Sequence, residues 1–381
     1  MISKLNLKKF DAVALAHQGV RKLEPYQAGK AIEALERELG IHDIIKLASN
    51  ENPLGPSLLA LDAVSRHLKD LHFYPDASGI SLKSKLADMH HVMPEMITLG
   101  NGSENIFDLV IRAFCQPGDE IMISEYAFIA YQIIAKGLGV DVNQIPAKQY
   151  GHDLNAMLTA ISDRTKVIFI VNPNNPTGTY LSIEALKTFL RMLSSDILVV
   201  LDEAYCEYMD GALDYQSGVH WIDEFPNLII TRTFSKAYGL AGVRIGYAVS
   251  HPDVRDLLNR IRQPFNVNSL ALVAALAALD DVEHVAKTTL LNRESLELLI
   301  RTFSKMGLSY VPPHANFVLV DLKQDAMPVY GALLKRGVIV RPVVPYNLRT
   351  HLRISTGTLA ETNRFIKEFK NIMQCQEVVN E

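Results

Sequence analysis

Between residues 97 and 250 two hydrophobic periods take turns. DEIMISE, TKVIFIVNP, DILVVLDEAY, NLIITRTFS and VRIGYAVS are short, β-branched apolar runs of strand length. NIFDLVIRAF, IAYQIIAKGL and SIEALKTFLRML instead space their apolar residues at i, i+3 and i+4, as helices do. This alternation predicts an α/β domain around a mostly parallel sheet, in which ligands collect at the carboxyl ends of strands.

After Pro264 the texture changes. A long helical region runs to about Lys305, followed by the strand candidates ANFVLVDL, GVIVRPVV and HLRISTG with helices between and after them. The pattern predicts a second, smaller α+β domain. Residues 1–49, with LEPYQAGK and a helix near residues 32–39, read as an arm or as part of that second domain. The expected division is therefore 1–49, 50–265 and 266–381. The longest apolar run, residues 270–279, is about half the ~20 residues that span a bilayer and reads as a buried helix.

The bulk properties exclude more than they assign. Of 381 residues, 48% are hydrophobic and 21% charged, the balance of an ordinary globular protein. The net charge of −4 lacks the basic footprint of nucleic-acid binding, so an acidic ligand must be held by local arginines. Cys115, Cys206 and Cys375 are odd in number and widely spaced, which argues against a disulfide framework or zinc ribbon and fits a reducing, cytoplasmic setting. MISKLNLKKF leads into no apolar stretch with a cleavage site, so no signal peptide is expected.

Polar groups gather at the expected strand ends. ITLGNGSENIFDLV runs strand, glycine turn, helix, so Gly102, Ser103 and Glu104 form either an anion site at a helix N-terminus or simply a cap. In VNPNNPTG, two prolines and a glycine force a sharp turn that holds Asn175 at the sheet edge. LDEAY ends a strand with Asp202 and Tyr205; four apolar residues precede the aspartate, which is expected to be desolvated or to cap the next turn. TRTFSKAYGLAGVRIGY sets Lys236 among Thr233, Ser235 and Arg244, donors suited to a phosphate dianion.

Taken in order, the strand-end Asn, the Asp with a Tyr three residues on, the Ser-Lys pair and the Arg eight residues later resemble the fold-type I aminotransferases that use pyridoxal 5′-phosphate. The resemblance covers nearly the whole chain. NENPLGP at residues 50–56, FYPDASG at 73–79 and VIVRPVVPYNLRTHLRISTGT look like the versions found in the histidinol-phosphate aminotransferases of histidine biosynthesis. It implies a large domain with a mostly parallel seven-stranded sheet, a smaller α+β domain, and a homodimer with shared active sites.

It also implies roles. Lys236 would form a Schiff base with the cofactor and act as general acid and base, Asp202 would keep the pyridine nitrogen protonated, and Tyr205 and Asn175 would bond the ring oxygen. Tyr126 would stack on the ring. Gly102, Ser103, Glu104, Thr233, Ser235 and Arg244 would surround the phosphate, with Tyr74 arriving from the neighbouring subunit. Arg353, assisted by Arg341, would grip the anionic end of the substrate, with Tyr26 and Asn52 nearby. The implied substrates are histidinol phosphate and glutamate or 2-oxoglutarate. Two other readings fit the same residues: an aromatic amino-acid aminotransferase, and a non-catalytic binding protein on the same fold.

Overall fold

A computed structural model of the chain describes residues 10–25, 29–209, 211 and 214–380. Its strands are β1 (Ile45–Lys46), β2 (Ile97–Gly100), β3 (Glu120–Ser124), β4 (Asp141–Ile145), β5 (Thr165–Val171), β6 (Leu198–Asp202) and β7 (Leu228–Thr233). They continue with β8 (Gly246–Ser250), β9 (Ser309–Val311), β10 (Phe317–Asp321), β11 (Val338–Ile339), β12 (Arg341–Pro342) and β13 (His351–Ser355). Seven of them form one sheet in the order β2-β8-β7-β6-β5-β3-β4. All its neighbours are parallel except β8, which runs against both β2 and β7.

The five apolar runs singled out between residues 120 and 250 all lie in this sheet. Along β5 the period of two assigns Val167, Phe169 and Val171 to one core and Ile168 and Ile170 to the other. A strand covered on both faces has no polar face to alternate with, which is why it reads as a continuous apolar run. β4 escaped that reading because DVNQI is an edge strand with an exposed first residue and a single buried one.

Strand order brings distant residues together. Val171, Asp202 and Thr231 are consecutive register partners, so the chain leaves β5, β6 and β7 at one edge. Because β8 is antiparallel, its first residue, Gly246, pairs with both Gly100 and Thr233. The turns after β2, β6 and β7 and the turn before β8 thus open onto one crevice.

The second sheet is antiparallel, β12-β13-β10-β9, and packs with the helices Val282–Lys305, Ala326–Leu334 and Leu359–Asn380 around Phe303, Val318, Leu352 and Phe365. β1 pairs in parallel with β11, and Leu35 of the helix Ile32–Leu39 packs with Ala48 and Ile339. The helix Ser269–Ala278 differs from the expected division. Its alanines at 271, 274, 275 and 278 lie in the core of the seven-stranded sheet, and it packs on the helix Leu58–His67, because small side chains allow close approach. Among the described residues, no helix is long and apolar enough to cross a membrane.

Candidate active site

The crevice is built first from glycines. Gly102 has φ 79 and opens the helix Ser103–Phe114 without any side-chain cap, so the helix's first N–H groups are left to another acceptor. A Cβ on Gly102 would lie 2.6 Å from Arg244 Nη2, and one on Gly246 2.5 Å from the Ser103 nitrogen. Arg244, itself at φ 61, donates from Nη1 to the Ala241 carbonyl at 3.1 Å and reaches Ser235 Oγ at 3.4 Å. The Ser235 N–H in turn donates to Thr233 Oγ1 at 3.1 Å. Ser103, Thr233, Ser235 and Arg244 therefore bring a helix-terminal amide, hydroxyls and a guanidinium together around Gly102, whose own N–H donates to the Gly100 carbonyl at 2.8 Å, and this set of donors suits an anion. Glu104 belongs to the first helical turn, with its side chain exposed.

Lys236 follows directly. Its Nζ donates to the Ser49 carbonyl at 3.1 Å and lies 5.9 Å from the centre of the Tyr205 ring. Burial, and then the positive charge of Arg353, lower its pKa from 10.5 to about 8. Arg353 outweighs Arg244, although Arg244 is much nearer in sequence.

Asp202 ends β6 with only 4% of its surface exposed. It accepts from the Tyr131 hydroxyl at 2.6 Å and from Thr231 Oγ1 at 3.1 Å, and among the described residues no cation pairs with it. Burial raises its pKa to about 6, against those two hydrogen bonds, which lower it. Tyr205 is buried too, and its hydroxyl, pushed up to about 12 by burial, accepts from Asn50 Nδ2 at 2.9 Å.

The arginines come from the second sheet. Arg341 and Arg353 are direct partners across β12 and β13, so their side chains leave the sheet on the same face. Arg353 is buried, donates to Asn175 Oδ1 at 2.5 Å and to the Ala48 carbonyl at 2.6 Å, and lies 5.2 Å over the Phe317 ring. Asn175 thus faces Arg353. Like charges placed directly opposite destabilise a strand pair, so an arginine pair of this kind suits an anionic ligand.

Other expected residues lie differently. Asn52 is buried with its amide spent: Nδ2 donates to the Ala237 carbonyl at 2.8 Å and Thr288 Oγ1 at 2.9 Å, while Oδ1 accepts from the Leu54 N–H. It braces the lysine segment and has no donor left for a substrate. Tyr126 is half-buried and stacks on Tyr150 with ring centres 6.0 Å apart. Tyr74 is 82% exposed and stacks on Phe265. Tyr26 lies outside the described residues.

Two residues of the site were not anticipated. Tyr131, in IAYQIIAKGL, looks like one more apolar-face aromatic. Asn50 sits at φ 56, a conformation asparagine tolerates better than most residues, and its Oδ1 accepts from Ser355 Oγ at 2.7 Å. The NEN triplet was the available signal, and the asparagine that matters in it is the first.

Residues 42–369 match the family described as aminotransferase class I and II. Histidinol-phosphate aminotransferase 1 of Idiomarina loihiensis is 49% identical over 366 residues, 96% of this chain and 100% of the relative. Histidinol-phosphate aminotransferase 2 of Pseudomonas aeruginosa is 50% identical, covering 95% and 99%. Among solved structures, histidinol-phosphate aminotransferase from Sinorhizobium meliloti in complex with pyridoxal-5′-phosphate superposes with a TM-score of 0.86 at 29% identity, over 94% of this chain and 97% of that one. The matched span holds every side chain that converges on Lys236, and the chain belongs to the class I and II aminotransferases.

Proposed function

We infer that this chain is a pyridoxal 5′-phosphate-dependent aminotransferase of L-histidine biosynthesis. It interconverts L-histidinol phosphate and 2-oxoglutarate with imidazole acetol phosphate and L-glutamate. The observation that carries the reading is the buried Arg353, whose positive charge helps lower the pKa of Lys236 and whose direct partner across β12 and β13 is a second arginine, Arg341. Both substrates bring an anionic group for the arginines and an amine or carbonyl for the lysine's end of the pocket. Relatives about half identical over nearly the full chain support the same substrates.

The cofactor fits the chain's own groups. The cleft at Gly102, which a Cβ would fill, opens beside Arg244 and the free helix terminus and would hold a phosphate. Asp202, buried and bonded to the Tyr131 and Thr231 hydroxyls and the Ala204 backbone, would hold a proton at the cofactor's ring nitrogen, since a buried carboxylate gains most from a cation placed against it. When bound, the cofactor supplies an electron sink for the substrate's Cα. Tyr205, held by Asn50, would bond its ring oxygen, and Asn175 would orient Arg353. Lys236 would bind the cofactor covalently and then, as free amine, take the proton from the substrate's Cα and return it. A pKa near 8 leaves a usable fraction of that amine neutral at physiological pH.

The active unit is a homodimer in this reading. Tyr74 projects from a turn, with exposed Leu71 and Phe73 beside it, and completes the phosphate site of the partner. The three free cysteines fit a cytoplasmic setting. The deciding experiment compares kcat/KM for histidinol phosphate and phenylalanine with 2-oxoglutarate as acceptor. Preference for histidinol phosphate is expected; preference for phenylalanine would make the chain an aromatic aminotransferase, and no turnover of either a binding protein.

A further inference from the structure

We propose that the segment 262–266 is a clip that fixes Tyr74 in the position from which it serves the partner subunit, with Arg262 and Phe265 as positioning residues. This rests on the reading that two copies share their active sites.

Phe265 is the first indication. It has φ 57, a left-handed conformation that bulky residues avoid, and the residue is 41% exposed in the single chain, so packing into that chain's own core does not account for the conformation. What the conformation achieves is a stack on Tyr74, with ring centres 4.7 Å apart and planes at 19°. Tyr74 is otherwise 82% exposed on the FYPDASG turn, and an exposed ring without a partner samples several rotamers.

Arg262 is the second. Its three nitrogens serve three acceptors: Nη2 donates to the Ala77 carbonyl at 2.9 Å, Nη1 to Asn266 Oδ1 at 2.6 Å and Nε to Asn259 Oδ1 at 3.1 Å. The first bond pins the turn that carries Tyr74. The second leads inward, because Asn266 Nδ2 donates to the Leu99 carbonyl at 3.2 Å and to Asn105 Oδ1 at 3.0 Å. Asn105 Oδ1 also accepts from the Asn101 N–H at 3.2 Å, in the glycine turn that opens the helix Ser103–Phe114. The tyrosine offered to the partner is thereby registered against the chain's own phosphate cradle. A planar fork with several fixed donors suits this task as a lysine would not.

The test measures cofactor affinity of the holo-dimer by release after dilution, at concentrations where sedimentation shows dimer. Phe265→Ala and Arg262→Gln should each weaken cofactor binding ~3- to ~10-fold, the size of a lost aromatic pair or hydrogen bond. Phe265→Tyr should restore it. In a Tyr74→Ala background, Phe265→Ala should add nothing, since its effect passes through that ring. Full affinity in Phe265→Ala and Arg262→Gln, a fully additive effect on top of Tyr74→Ala, or loss of the dimer in both single variants would overturn the clip. If Tyr74→Ala itself leaves affinity unchanged, the shared-site reading fails and takes the clip with it.

Discussion

The hydroxyl of Tyr131 donates to Asp202 Oδ2 at 2.6 Å, while its ring stacks on Phe169 with centres 4.5 Å apart. Phe169 lies on β5, the strand next to the one that Asp202 ends. One aromatic side chain thus binds a helix to the sheet and aims a buried carboxylate. Burial raises the pKa of Asp202 to about 6, and the hydrogen bonds from Tyr131 and Thr231 hold it below what burial alone would impose.

The pH dependence of the cofactor-free protein should show this. With a folded pKa of about 6 against an ordinary 3.8, the folded state holds the proton more tightly, so stability is highest below about pH 4 in this respect and falls as pH rises to about 6. Full ionisation costs roughly 3 kcal/mol at ~1.4 kcal/mol per unit. Urea unfolding at several pH values, wild type minus Asp202→Asn, should isolate that slope; parallel curves would contradict it. Tyr131→Phe removes a bond that lowers the pKa, so the fall should extend to higher pH.

Lys236→Ala should still take up the cofactor through the Gly102 and Arg244 cradle. Borohydride should no longer fix it covalently, and turnover should drop by at least ~10²-fold, the lower end for losing a positioned acid-base. Peptide mapping of the reduced wild-type protein should place the adduct on Lys236. An adduct on any other lysine would refute the assignment.

Arg353→Ala should raise KM for histidinol phosphate and for glutamate together, each by ~10- to ~100-fold, as expected when a charge-assisted hydrogen bond is lost. Arg353→Lys should recover little, because Asn175 and the Ala48 carbonyl are spaced for two nitrogens of one planar group. Steady-state kinetics with each substrate decides it. A change in KM for one substrate alone would mean that the two anions use different anchors.

Mixing Tyr74→Ala with Lys236→Ala chains should recover activity when each alone is impaired. On the proposed shared-site arrangement, both lesions would fall on one site of the mixed dimer, and the other would keep its own Lys236 and an intact Tyr74 from across the interface. Activity no better than the parental average would place Tyr74 in its own chain's site.

The local signals in the sequence determined a good deal. Continuous β-branched runs located the inner strands because a strand buried on both faces must be apolar at every position. Asp202, Lys236 and Arg244 stood out because strand ends and glycine turns mark where polar groups meet a crevice. Partner choice is not local. The antiparallel insertion of β8 between β2 and β7 is what seats Gly102 against Arg244, residues 142 positions apart by their numbers. Tyr131 is indistinguishable from a core aromatic until the strand beneath its helix is known, and Asn50 from Asn52 until the hydrogen bonds of each amide are counted. Arg341 and Arg353 face one way only because the β12–β13 register makes them opposite, and a shift of one residue would turn one of them away. Periodicity reports burial, a property of each position; tertiary structure decided pairing, which depends on contacts between segments far apart in the chain.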